Sequence, residues 1–392
     1  MKRVILTAVS IGLMPVLGYG QLPPLNAAEG TWMMHHGAAS LRGLQRLKGA
    51  ITGPYVRCFN FFATAEGDPL VADINGDGSM EIVMTAFEYG RVFAFRGTDC
   101  SLLWSSPLLS SGTGSFSAAV GELDPTRPGL EIAVTVAGTG RLYVLSGTDG
   151  SIIWSAPLGG VILSSPAIAD IDGDGIGEIF VTSDYTTYAF RGNGTLLWSY
   201  PAGHNNSNVA VGDLGNDGTL EVVFVGWDGS SFKVFALRAT NGTFVWSYPI
   251  SSVGDVALAD LDNDGQLEVV VVYQGGGVIA LRHNGSLYWS RSFSCNFCEF
   301  GVPGNYNANS PTIADLNGDG LREIVIGCPG QGAVYALRGT NGSTLWSYGI
   351  VATCSQNSSH KIGDIDNDGA LEVVLTSYHS GYCPSCDPYH LI

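Results

Sequence analysis

Residues 170–178 read Asp170, Ile171, Asp172, Gly173, Asp174, Gly175, Ile176, Gly177 and Glu178. Three carboxylates stand at alternate positions, a glycine follows the third, and a glutamate closes the run. Alternate residues of a tight loop turn inward, and glycine permits the backbone reversal. The result is an oxygen cage for a hard cation such as calcium, which takes about six to eight such ligands. No helical pattern flanks the loop. Ser165, Pro166, Ala167, Ile168 and Ala169 precede it, and Ile179, Phe180, Val181 and Thr182 follow it. The loop therefore joins two strands.

The same spelling returns along the chain, and a period of this size decides the architecture. The full copies offer Asp73, Asn75, Asp77 and Glu81; Asp170, Asp172, Asp174 and Glu178; Asp260, Asp262, Asp264 and Glu268; Asp315, Asn317, Asp319 and Glu323; and Asp364, Asp366, Asp368 and Glu372. A weaker copy keeps Asp213, Asp217 and Glu221 but has Gly215 at the second ligand position. A degenerate copy runs from Glu122 to Glu131 with Pro125, Arg127 and Pro128 inside it. The starts at 73, 122, 170, 213, 260, 315 and 364 define seven units separated by 43 to 55 residues.

One unit shows the plan. Residues 164–169 form a short apolar strand, the acidic loop follows, and residues 178–183 form a second strand. Tyr188, Ala189, Phe190 and Arg191 form a third. Gly192, Asn193 and Gly194 make a hairpin turn, and residues 195–200 form the fourth. Four short antiparallel strands repeated seven times predict an all-β, seven-bladed β-propeller rather than a linear solenoid, which would carry capping repeats. The third and fourth strands have their own signature. It places Trp104, Trp154, Trp198, Trp246, Trp289 and Trp346 at one repeat position. A tryptophan in every blade reads as packing between neighbours; sugar stacking is the alternative. The seventh unit lacks its last strand. Residues 55–62 have strand composition and are expected to close the ring as an N-terminal strand, which removes exposed sheet edges. The same strand could instead enter a neighbouring molecule.

Composition agrees with a globular β chain. It is 45% hydrophobic, with 54 glycines and a net charge of −17. That acidity argues against a nucleic-acid partner, which needs a basic footprint. Met1, Lys2 and Arg3 precede a short apolar run and small residues, so residues 1–20 read as a secretory signal peptide, with a retained hydrophobic anchor as the alternative. The run is too short for an ordinary membrane span. Residues 21–54 form a lead-in, and residues 55–392 the propeller. Eight cysteines, Cys58, Cys100, Cys295, Cys298, Cys328, Cys354, Cys383 and Cys386, are disulfide candidates in a secreted chain. The two Cys-x-x-Cys pairs also admit zinc. Sequons at Asn193, Asn205, Asn241, Asn284, Asn341 and Asn357 are candidate glycosylation sites. Four of them are also the Asn-Gly that a tight turn wants. His35 and His36 have no companion ligand and read as a packed or surface pair.

The acidic loops between strands resemble FG-GAP (VCBS-type) repeats, as in integrin α-chain propellers. The tryptophan signature resembles that of pyrroloquinoline-quinone-type propellers, although Arg96, Arg191, Arg238, Arg282 and Arg338 replace that motif's usual aspartate. The resemblance implies calcium ligation by the loop residues named above. It is poor for function, because such propellers serve many roles. The expected role is a secreted, calcium-stabilised binding or adhesion module, its partner an extracellular protein or glycan. The alternatives are a subunit of a self-assembling extracellular filament or layer, binding copies of itself, and an extracellular enzyme of lyase or quinoprotein type. No acid/base pair, phosphate loop or nucleophile triad stands apart from the loops.

Overall fold

The structure, a computed structural model of the 392-residue chain, describes residues 4–7, 44–48, 69–86, 89–110, 116–160, 162, 164–204, 207–293, 310–328, 333–349, 360–364 and 369–376. The described residues form seven four-stranded sheets and no helix. Blade three has strands Ala167–Ala169, Glu178–Ser183, Thr186–Phe190 and Leu196–Tyr200, each antiparallel to the one before. The acidic loop spans the first hairpin, and Asn193 with Gly194 turns the last. Blades one to six all follow this order.

Successive first strands touch one another from Leu70–Ala72 through Phe116–Gly121, Ala167–Ala169, Val209–Gly212, Gly254–Ala259 and Thr312–Ala314 to His360–Asp364. They therefore form the inner wall, and each blade fans outward from it. This is the propeller arrangement the repeat predicts. Second strands are largely buried, those of blades two and three, Glu131–Val136 and Glu178–Ser183, along their whole length. Each lies between neighbouring blades on both faces, so runs such as Val269, Val270, Val271 and Val272 need no polar alternation. The fourth strand is the sheet edge and alternates exposure. The core is correspondingly a series of layers between blades. One apolar cluster joins blades one and two, another blades two to four, a third blades four to six, and a fourth blades six and seven.

Blade seven departs from the antiparallel plan. Its own hairpin, His360–Asp364 with Glu372–Thr376, is antiparallel, but two N-terminal strands flank it in parallel. Val4–Thr7 pairs with Glu372–Thr376, and Leu44–Lys48 pairs with His360–Asp364. N-terminal strands thus complete the last sheet, but they come from residues read as signal peptide and lead-in. Residues 55–62, expected in that role, lie outside the described residues. The long connection from these segments to the sheet permits parallel pairing, which a tight hairpin would not.

The tryptophans lock the blades in series. Trp104 donates its indole N–H to the Gly147 carbonyl of the next blade at 2.7 Å, Trp154 to Gly192 at 2.7 Å and Trp198 to Ala239 at 2.7 Å. Trp246 donates to His283 at 2.8 Å and Trp289 to Gly339 at 2.6 Å. Each ring also lies against the glycine of that same turn. A Cβ added at Gly150, Gly194, Gly242, Gly285 or Gly342 would fall 2.5 to 2.9 Å from the indole of the preceding blade. These glycines also take positive φ, so the turn and the ring impose the same choice of residue. Packing, not sugar stacking, occupies these rings. The Trp346 indole nitrogen is buried without an acceptor, and the blade after it has no such turn among the described residues.

Candidate metal centres

Each loop is organised by its own backbone. The first aspartate turns both carboxylate oxygens onto the loop's amides. In blade one, Asp73 Oδ1 accepts from Gly76 and Asp77, and Oδ2 accepts from Gly78, at 2.8 to 3.1 Å. Asp170 accepts from Asp172, Gly173 and Gly175, and Asp315 from Gly318, Asp319 and Gly320. Asp213 and Asp260 each accept from two amides, and Asp364 accepts from Gly369 at 3.1 Å. The fifth residue caps the exit of the loop: the Oδ1 of Asp77, Asp174, Asp217, Asp264 and Asp319 accepts from the amide two residues on. Such local bonds are what short carboxylate side chains do in turns.

The closing glutamate is buried and does two jobs. Its Oε2 accepts the amide of the loop's second residue: Ile74 for Glu81, Ile171 for Glu178, Leu214 for Glu221, Leu261 for Glu268 and Leu316 for Glu323. Even in the degenerate loop, Glu131 Oε2 accepts from Leu123 and Asp124. That anchoring explains why the glutamate persists where the aspartates do not. The other oxygen faces the loop centre. In blade five, Glu268 Oε1 and Asp262 Oδ1 are buried with no hydrogen-bond donor.

Two groups among the described residues bring their carboxylate oxygens within 4.8 Å of one another: Asp170, Asp172 and Glu178, and Asp260, Asp262 and Glu268. Buried oxygens without donors, converging from a preformed loop, fit a hard cation. Burial drives the glutamates toward protonation when no cation is bound. The carboxyls of Glu81 and Glu268 are pushed up to about 7, and those of Glu178 and Glu221 are also raised. Amide donors act the other way on the outer aspartates, holding Asp77, Asp170 and Asp217 low. Asp366 and Asp368 lie outside the described residues, so of the last loop's acidic residues only Asp364 and Glu372 are seen.

The arginine at the end of the third strand, which the sequence shows only as a departure from the pyrroloquinoline-quinone-type motif, belongs to the site. Glu81, Glu221 and Glu323 pair across the sheet with Arg96, Arg238 and Arg338. Arg191 lies 3.8 Å from Asp172, and Arg282 lies 3.4 to 3.8 Å from Asp262, Asp264 and Glu268. In blade four, where Gly215 removes a ligand, Arg238 hydrogen-bonds Glu221 and stands 3.8 Å from Asp217. In the degenerate blade two, the partner of Glu131 is Ser146, and Arg127 pairs with Asp124 inside the loop at 3.0 Å. The available signal was recurrence: an arginine stands at the end of the third strand in blades one, three, four, five and six, and is missing from the degenerate blade two.

At the other end of the inner strands a polar tie links four successive blades, three to six. Buried Asp255 accepts from the Asn208 amide and side chain at 3.1 and 2.8 Å and from Ser310 Oγ, while Asn208 accepts from the Ser165 amide. The sequons are turn formers: Asn193, Asn241, Asn284 and Asn341 are exposed, and each accepts the amide two residues on. Asn205 and Asn357 lie outside the described residues. Cys100 is disulfide-bonded. Cys58, Cys295, Cys298, Cys354, Cys383 and Cys386 lie outside the described residues, as do His35 and His36. No helix among the described residues is long and apolar enough to cross a membrane.

No curated protein matches the chain. Among solved structures it is similar to BamB from Moraxella catarrhalis, at 13% identity and TM-score 0.55, covering 93% of this chain and 99% of that one. It is also similar to the quinohemoprotein alcohol dehydrogenase ADHIIG from Pseudomonas putida HK5, at 13% identity and TM-score 0.55 over 90% of this chain and 76% of that one. A third is BBS1N in complex with ARL6DN, at 16% identity and TM-score 0.53 over 84% and 93%. At these identities the likeness concerns the fold. An FG-GAP-like repeat model matches residues 315–375, where two of the acidic loops lie. The model described as outer membrane protein assembly factor BamB matches residues 88–294, just over half of the chain, and the protein belongs to that family.

Proposed function

We propose that the protein is a calcium-braced, extracellular β-propeller that binds other macromolecules and does no chemistry of its own. The observation that carries the reading is the convergence of Asp260, Asp262 and Glu268, with two buried oxygens that no donor satisfies, in a loop repeated around the ring. A cation there cross-links the first hairpin of its blade, which braces a fold whose blades are held only by neighbours. The disulfide at Cys100 supports an oxidising compartment. The family name is that of an assembly factor, and the BBS1N propeller is described in complex with another protein; both favour a binding scaffold.

The rim supplies a surface. Leu102, Ile152, Leu196, Phe244 and Leu287 occupy the same place on the outermost strand of five consecutive blades, each 40 to 52% exposed. Apolar side chains on open sheet edges are normally avoided, and their repetition at one strand position favours a contact role for the rim. The adhesion reading is tested with beads coated with wild-type protein or with Leu196→Asp/Phe244→Asp, presented to cells and to a glycan array with and without calcium. Calcium-dependent retention lost in the variant is expected. Equal retention of both proteins would count against it. The rim equally favours self-assembly, the second reading. Sedimentation of the same pair separates the two, because only self-assembly produces large species from pure wild-type protein.

A further inference from the structure

In blade five, Glu268 Oε1 is buried with no hydrogen-bond donor, and Arg282 stands 3.8 Å away. The Arg282 guanidinium lies over the Tyr288 ring, 4.0 Å from its centre, which holds it short of the glutamate. In blade three, Arg191 keeps 3.8 Å from Asp172. In blades one and six the arginine turns to the last hairpin instead: Arg96 donates to Ser101 and Arg338 to Ser343, at 3.2 and 3.3 Å. Blade four differs. The residue before its tryptophan is Val245, where blade five has Tyr288. Arg238 there hydrogen-bonds Glu221 Oε1, the oxygen whose counterpart in blade five has no donor.

Blade four is also the blade with Gly215 at the second ligand position, where the full loops carry aspartate or asparagine. The two differences go together. Glu221 is buried, and a buried carboxylate is costly without a positive partner. Calcium is held by the number of oxygens around it, so a loop short of one ligand holds it less well. A guanidinium needs no such shell. It is always charged, it bonds strongly to a carboxylate, and here it is carried on the neighbouring strand at every calcium concentration. Blade two points the same way: in its degenerate loop, Arg127 donates to Asp124 at 3.0 Å.

We infer that Arg238 is the resident cation of the blade-four loop. Its guanidinium does for Glu221 what calcium does for the closing glutamates of the full loops, so blade four is braced without metal and takes none. The inference rests on the reading of the full loops as calcium sites. It divides the ring: blades two and four keep their loops when calcium is scarce, and the blades with full loops loosen.

Native mass spectrometry in calcium counts the ions on wild-type protein, Arg238→Met and Arg238→Lys, and melting in chelator ranks their stability. The control for a lost arginine is Arg141→Met, because Arg141 lies at the opposite end of a third strand and donates to Ser155 Oγ at 2.8 Å. Arg238→Met should carry one calcium more than wild type, because Asp213, Asp217 and Glu221 are freed for a metal. In chelator it should melt several degrees below both wild type and Arg141→Met, because Glu221 is left buried without its partner. Arg238→Lys keeps the charge and should keep the wild-type count. An Arg238→Met protein that carries no more calcium than wild type, or that melts in chelator no lower than Arg141→Met, would overturn the inference. If Arg238→Met does not fold, Arg238→Gln, uncharged but still a donor, replaces it in the same comparison. A wild-type protein without calcium would instead overturn the reading of the full loops, and the chelator comparison would then judge Arg238 by itself.

Discussion

Gly242 lies so close to Trp198 that a Cβ built on it would come within 2.8 Å of the indole ring. The glycine also sits at φ +69°, so two independent constraints exclude a side chain there. Gly229 provides the control, because it has φ +94° but nothing within 4 Å of its Cβ direction. Gly229→Ala should cost about 1 kcal/mol from backbone strain alone. Gly242→Ala should cost a further ~1–3 kcal/mol through overpacking against the ring. Denaturant unfolding of the two variants measures the difference; equal losses would remove the ring from the explanation.

The indole nitrogens make a second comparison. Trp198→Phe leaves the Ala239 carbonyl without its donor, whereas the Trp346 nitrogen has no acceptor to abandon. Both changes shrink the ring. The first should therefore destabilise by about 1 kcal/mol more than Trp346→Phe, the net worth of a hydrogen bond. Thermal unfolding of the two single variants checks the ordering.

Blade four offers a repair. Gly215 occupies the second ligand position, and a Cβ there meets only the Asp217 carboxyl, at 4.0 Å. Gly215→Asp should tighten calcium binding at this loop and raise the melting temperature in calcium. With chelator present the sign should reverse, because the new carboxylate faces Asp217 with no cation between them. Calorimetric titration and paired melting curves test both halves.

Protons and cations should compete for the buried glutamates. In the ion-free protein, burial raises the Glu268 carboxyl from an ordinary value of 4.5 to about 7. A raised folded-state pKa gives stability that is fully present below the unfolded value and is lost as pH rises through the folded one. In chelator, the Glu268 contribution should therefore fall between about pH 4.5 and pH 7 as the solution is made more alkaline. Calcium holds the carboxylate ionised, and the slope should invert. Glu268→Gln keeps an oxygen for the Leu261 amide and should flatten the chelator curve while weakening the calcium response. Melting temperature against pH for both proteins, in chelator and in calcium, checks the signs.

Much of this was readable because the punctuation of a repeat is local. Asp170, Gly173, Gly175 and Glu178 specify their loop through bonds within nine residues, and Asn193 with Gly194 specifies its turn, so unit count and strand order followed directly. Relations between blades were less visible. Trp198 was legible as a packing residue, but its acceptor, Ala239, lies 41 residues away and offers only a backbone carbonyl, which carries no side-chain signal. Glu178 was legible as a cation ligand; its anchoring of the Ile171 amide was not, because amides are present at every position. Arg238 was seen as a departure from another family's motif, and its meaning came only from facing Glu221 across the strand pair. The parallel pairing of Val4–Thr7 with Glu372–Thr376 joins opposite ends of the chain, and nothing in either segment's spelling announces the other.

The central claim is that calcium braces the blades, and counting bound metal tests it most directly. Native mass spectrometry of the protein in calcium, followed by melting with and without chelator, gives both numbers on one sample. The account predicts about five calcium ions per chain, one for each full acidic loop, and a large fall in melting temperature when they are removed, because a ligand held only by the folded state must stabilise it. A protein that carries no calcium, and melts at the same temperature with and without chelator, would contradict it.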